Sequence, residues 1–314
     1  MTMRNLIILS VILLLPIIAK AQLPVSLTLP QVSPLEDRSI TIGFTKISFE
    51  YSSVGVKGRE IWGDLIPHGE VWRAGANKNT VFSVSDNVLI NGVPLDAGSY
   101  GFHTIPGEEE WIIIFSNNSE AWGSYFYDEA EDALRITVPV SEMDSKYEWM
   151  KFSFSNYTST SVDISLKWAH RSVPFTVEVP MEVTFTNIKK QFTSLPAFSW
   201  QGWHQGANFT LANEYNMEQG LEWASEAVQR ERNPQTLGTL GKLQVKNGLT
   251  KEAAGTAEQL TNWTEDWSAQ FLSGEIYEMA GNNEAANLAF KSAHDLVMNE
   301  GTKTMIKARI DALN

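Results

Sequence analysis

The densest concentration of chemically capable side chains is the stretch Gly58–Thr80, GREIWGDLIPHGEVWRAGANKNT. It holds two Trp, two Arg, three acids, one His and four Gly in 23 residues. Asp64, His68 and Glu70 offer carboxylate oxygens and an imidazole nitrogen, the donor set of a Zn²⁺ or Mn²⁺ site. No regular element fixes their spacing around Pro67, so they are weak metal candidates and read more simply as solvated loop charges. Arg73 and Asn77 form the polar face of a candidate pocket with Trp72 as its floor, and Arg59 and Trp62 belong to the same stretch. The competing reading is structural. Gly58, Gly63, Gly69 and Gly75 recur every five or six residues, the spacing of a chain that keeps changing direction. Trp62 and Trp72 then anchor the loop on a sheet, and Arg59 and Arg73 pair with Glu60, Asp64 or Glu70.

Elsewhere the chemistry is thinner. The chain has five His (His68, His103, His170, His204 and His294), and none has a partner at metal-binding spacing. His103 reads as a polar-face or edge residue of a strand, and His204 and His294 as surface residues of helices. Glu108–Glu110 after Pro106-Gly107 reads as a hairpin tip, and Asp128–Asp132 as an acidic turn without the spacing of a calcium loop. No nucleophile elbow, phosphate loop or dinucleotide fingerprint occurs. Trp122, in EAWGSYFYDEAED, sits near Tyr125 and Tyr127 in a loop. Exposed rings of that kind stack on sugar faces, and buried ones lid a core. Trp111 and Trp168 lie in alternating strands and are expected in the core.

The elements that must position these residues fall into two halves. From Ser39 to about Ile188 the apolar period is two. Ile40, Ile42 and Phe44 alternate, and Ile47, Phe49 and Tyr51 continue out of phase, which suggests a bulge. Trp111–Phe115 is apolar on both faces, as in a central strand. Val162–Trp168 and Val173–Phe185 alternate, the second as an unusually long series. Asn91-Gly92 is a hairpin signal. Nine or ten short strands with frequent turns predict an antiparallel β-sandwich.

From Ser199 the period becomes helical and the sequence repeats with a shift of 33 residues. Asn208, Gly241 and Gly274 align, as do Gly220, Ala253 and Ala286. Gly274, Tyr277, Gly281, Ala286, Phe290 and Ala293 follow the tetratricopeptide pattern, in which small residues let two helices approach closely. Three helical hairpins and a closing helix, Thr302–Leu313, are expected. The predicted fold class is β plus α, with the sandwich over residues 22–190 and the repeats over 191–314.

Residues 1–21 read as a secretory signal: Arg4, an apolar run Leu6–Ile18, and Ala19-Lys20-Ala21 before a cleavage point at Gln22. The chain is therefore expected to be exported, periplasmic or secreted, with no membrane span. The absence of Cys excludes disulfides, thiol catalysis and thiolate metal sites. A net charge of −13 makes nucleic acid a poor partner.

The runs GREIWGDLIPHGEVWRAGANKNT, GSYGFHTIPG, EWIIIFS, WGSYFYDEAEDALRITVPV and WMKFSFSN resemble an exported bacterial family, domain of unknown function 2911, over Leu35–Val179. The resemblance implies the sheet domain and a helical tail, and implies no reaction. Binding is expected rather than catalysis, without a cofactor. The helical repeats would contact a protein or peptide. The alternatives are a glycan-binding sandwich, using Arg59, Trp62, Trp72, Arg73, Asn77 and Trp122, and a metal-dependent hydrolase on Asp64, His68 and Glu70.

Overall fold

A computed structural model describes residues 29–313 of the protein. The expected signal segment and its cleavage point lie outside the described residues. No helix among those described is long and apolar enough to cross a membrane.

The sheet half contains ten strands among the described residues: β1 Leu35–Ile42, β2 Thr45–Ser52, β3 Ala76–Val84, β4 Val88–Ile90, β5 Val93–Leu95, β6 Gly98–Ile105, β7 Glu110–Ser116, β8 Asp132–Pro139, β9 Ser141–Ser155 and β10 Ser161–Glu178. One sheet runs β1-β2-β3-β6-β7-β8 and the other β5-β4-β10-β9, with antiparallel pairing throughout. Their inner faces share one core. Phe49 of the first sheet stacks on Phe152 of the second at 3.9 Å between centroids, and Phe102 lies 6.0 Å from Phe175. Trp111 and Trp168 are fully buried, as their alternating strands require.

Three local readings change. The phase slip after Ile42 is a hairpin, not a bulge: Ile42 pairs with Thr45 across Gly43-Phe44. Gly43 takes φ +58°, which a two-residue turn needs at its first position, and Phe44 is left exposed. The two series Val162–Trp168 and Val173–Val177 are one strand, β10, which changes partner along its length. It pairs with β9 up to Ser172 and with β4 from Val177, and Pro174 lies in the unpaired interval where its missing N–H costs nothing. The strand series also stops early. Met181, Val183 and Phe185 belong to a helix that starts after Pro180.

That helix is α1 (Met181–Gln191), followed by α2 (Trp200–Ala212), α3 (Met217–Arg230), α4 (Pro234–Lys246), α5 (Thr250–Leu260), α6 (Trp267–Met279), α7 (Asn283–Leu296) and α8 (Glu300–Ala312). α2 packs on α3, α4 on α5 and α6 on α7, giving the three expected hairpins with α8 closing the stack. The small residues of the repeat sit where helices touch. A Cβ on Gly241 would lie 2.4 Å from Ile276, and one on Gly274 2.6 Å from Phe290. Where the repeat departs from small residues, polar bonds fill the seam. Thr239 donates to Asn208 at 2.9 Å, and Thr256 to Gln244 at 2.7 Å.

Candidate functional site

Between β2 and β3 the Gly58–Gly75 part of the stretch forms irregular chain reversals, and Ala76–Thr80 opens β3. Gly58, Gly63 and Gly69 all have positive φ, as the spacing of the glycines implied. Two pairs of backbone bonds hold the loop down: Trp72 exchanges N–H···O bonds of 2.8 Å with Thr104, and Ile66 donates to Ile61 while Gly63 donates to Ile66. Both tryptophans are anchors. Trp72 is buried and Trp62 half-buried. With Trp111 and Trp168 they form a four-ring cluster, Trp62 lying 4.8 Å from Trp111 and Trp72 5.6 Å from Trp168.

The arginines do not pair as expected. Arg59 donates to the carbonyls of Val56 (3.1 Å) and Gly55 (2.7 Å), and Arg73 donates to the carbonyl of Asn77. Neither has a carboxylate in ion-pair reach among the described residues. The reversals bring backbone oxygens nearer to these guanidiniums than Glu60, Asp64 or Glu70, which point to solvent. Asn77 takes φ +60° and turns its amide inward to Ser52 Oγ at 3.1 Å. It braces the irregular edge between β2 and β3 and does not line the cleft. Asp64, His68 and Glu70 do not converge: no group of three His, Cys, Asp or Glu side chains that could hold a metal occurs among the described residues.

A cleft of about 330 Å³ opens under this loop. Arg59, Glu70, Trp72, Arg73, Ser124 and Trp168 are among its lining residues. Of the residues expected to bind, the fold thus brings Arg59, Trp72 and Arg73 together. Trp122 joins them through Arg73, whose Cζ lies 5.4 Å from the Trp122 ring centroid. Trp62 stands behind Trp72, 5.9 Å away. Trp122 is 54% exposed and stacks nearly parallel to Tyr125, with centroids 6.1 Å apart and planes at 12°. The short 3₁₀ turn Gly123–Phe126 places it. Gly123 has φ +70°, which glycine adopts without strain, and a Cβ there would fall 2.3 Å from Arg73 Nη1, so a side chain at this position displaces the guanidinium.

A partly buried polar cluster next to the cleft was not expected. His103 is not an edge residue, since β6 lies between β3 and β7; it stands on the polar face opposite Phe102 and is buried there because the loop after β7 folds across that face. The register pairing Thr80 with Phe102 puts Asn79 across from His103, and Asn79 Nδ2 donates to the carbonyl of Asn118 on that loop at 3.2 Å. The Tyr127 ring lies 5.3 Å from His103. Tyr127 Oη donates to Asp132 at 2.7 Å, and Arg135 donates to both groups and meets Glu129 at 3.2 Å. Burial pushes the His103 imidazole down to about 4, with Asp132 opposing and the Arg73 charge adding to the shift. Burial, then the bond to Asp132, pushes the Tyr127 hydroxyl up to about 12. The sequence signal that could have located this cluster is the run of Tyr127 and Asp132 just ahead of Arg135, a cation three residues after an acid at a strand start.

The helical half has a larger cleft, about 720 Å³, where α1 meets α2 and α3. Phe192 and Trp203 stack at 4.3 Å on its wall, and Lys189, Gln219, Glu222 and Glu226 stand around it. Arg230 lies 4.8 Å over the Trp203 ring and pairs with Glu226. Nearby, Leu195 and Phe198 of a 3₁₀ turn are almost fully exposed. His204 is half-buried, not a surface residue. It bonds Asn208 at 2.9 Å, and burial lowers its imidazole.

No curated protein matches the chain. Among solved structures it is similar to the type III secretion translocator chaperone SycD of Yersinia enterocolitica, at 13% identity and a TM-score of 0.32, over 36% of this chain and 90% of that one. It is also similar to yeast Tom70, at 15% identity and a TM-score of 0.33, over 42% of this chain but only 28% of that one. The sheet half matches a family model: residues 33–177, from just before β1 almost to the end of β10, are similar to the family described as "Protein of unknown function (DUF2911)".

Proposed function

We propose that this is a non-catalytic binding protein whose helical half holds a segment of a partner protein. The observation that carries the reading is the 720 Å³ cleft at the start of the helical stack, walled by Phe192 and Trp203 and rimmed by Glu222 and Glu226. An aromatic wall with a charged rim is the usual make-up of a peptide anchor site. Glu226 is paired with Arg230, which leaves Glu222 as the rim carboxylate without an ion-pair partner among the described residues; on a chain of net charge −13 it favours a partner segment with an aliphatic or aromatic residue flanked by Lys or Arg. The apolar run Leu6–Ile18 followed by Ala19-Lys20-Ala21 supports a site of action outside the cytoplasm, in the periplasm or beyond.

The test is selection of displayed peptides on the purified chain, with affinity then measured on a Glu222→Lys variant. Glu222 is exposed, so the variant keeps its fold. Enrichment of basic-flanked apolar motifs whose affinity falls at least about tenfold (~1.4 kcal/mol) in the variant supports the reading. Enrichment of no motif, or of motifs indifferent to Glu222→Lys, rejects it.

A second reading, a glycan on the sheet domain, is favoured by one observation: the Trp122 ring is half exposed beside Arg73.

A further inference from the structure

We propose that the cleft under the Gly58–Gly75 loop binds a carboxylate carried on a ring-shaped body, either a uronic-acid sugar or an aromatic acid. This deepens the glycan reading of the sheet domain and is independent of the helical cleft.

Charge sets this cleft apart. Among the described arginines, Arg38, Arg135, Arg171, Arg230 and Arg309 each have a carboxylate partner, and Arg232 is held by Gln259. Arg59 and Arg73 have none, in a chain where acids outnumber bases by 37 to 24, and both line the same cleft. Their hydrogen bonds go to backbone carbonyls, which orient a guanidinium without neutralising it. Arg59 spends Nε on Val56 and Nη2 on Gly55, and Arg73 spends Nη1 on Asn77, so each keeps N–H groups for a further acceptor. Two fixed, unneutralised forks are the arrangement that receives a carboxylate through charge-assisted bonds.

The rest of the cleft fits a flat body behind that carboxylate. Trp72 and Trp168 line it, and Trp168 Nε1 is a buried donor without an acceptor. Trp122 and Tyr125, on either side of the lining residue Ser124, present parallel rings, with Trp122 beside Arg73. The volume, 330 Å³, is at the small-molecule end of the roughly 300–1,000 Å³ of ligand sites. Glu70, exposed on the rim, is the one carboxylate lining the cleft, and it leaves the net charge of the site positive. It can accept from a hydroxyl of the ligand.

The experiment is a tryptophan-fluorescence titration of the purified chain with digalacturonate, with benzoate, and with neutral galactobiose. Saturable quenching by digalacturonate or by benzoate, absent with galactobiose, supports the proposal, and the acid that binds assigns the source. Arg59→Lys and Arg73→Lys, each checked for an unchanged melting profile, should each weaken that binding at least tenfold, because lysine keeps the charge and loses the fork. Arg59 is exposed, so its variant remains informative should Arg73→Lys unfold. No saturable quenching by either acid, or affinity unchanged in Arg59→Lys, overturns the proposal. Equal binding of galactobiose overturns it too, while leaving the glycan reading standing.

Discussion

The guanidinium of Arg73 lies against Gly123 and 5.4 Å from the ring of Trp122, so one contact joins the loop after β2 to the loop after β7. It brings an unneutralised cation, an exposed ring and a cleft to one place.

The first prediction concerns the glycine in that contact. Gly123→Ala must place a side chain at φ +70° and 2.3 Å from Arg73 Nη1. The backbone strain alone costs about 1–2 kcal/mol, and the displaced Arg73 loses its place over Trp122. Urea melting should show the destabilisation, and an unchanged midpoint would mean that the two loops do not meet in solution.

Two tryptophans should behave oppositely. Trp111 is fully buried in the four-ring cluster, so Trp111→Ala should cost about 3–5 kcal/mol. Trp122 is 54% exposed and contributes mainly its contact with Arg73, so Trp122→Ala should cost less than about 1 kcal/mol. Paired thermal melts distinguish the two roles.

Stability should fall as the solution is acidified from pH 6.5 towards pH 4. His103 titrates at 6.5 when unfolded and at about 4 when folded, so between those values the unfolded chain binds more protons. The contribution is fully present above pH 6.5, is lost progressively on the way down to pH 4, and is on the order of 3 kcal/mol. His204, also lowered by burial, adds in the same direction. Melting curves of His103→Gln against pH should be flatter than those of the parent across this window. Equal slopes would show that His103 is not buried neutral.

Two glycines of the helical stack should also differ in sign. Gly274→Ala drives a methyl into the Phe290 ring at 2.6 Å and should destabilise by about 1–3 kcal/mol. Gly255, on the exposed side of α5, has nothing within 4 Å, so Gly255→Ala should stabilise by roughly 0.4–1 kcal/mol. Chemical denaturation of the pair tests the packing of the repeats directly.

What the sequence determined was local and periodic. The alternation of Val162–Trp168 and the Asn91-Gly92 turn follow from pleat and turn geometry, which act over a few residues, and the 33-residue spacing of Gly241 and Gly274 repeats one helix-hairpin contact. The same rules marked Trp62 and Trp72 as anchors. They failed where one pattern has two causes: the slip after Ile42 fits a bulge or a hairpin, and Met181, Val183 and Phe185 alternate in a helix by coincidence. The tertiary structure alone decided the site. Which oxygens reach Arg59 and Arg73 depends on how the loop closes, and His103 is buried because a segment some fifteen residues further on covers it. Charge pairing and burial are set by distances between residues remote in the chain, and no periodicity records them.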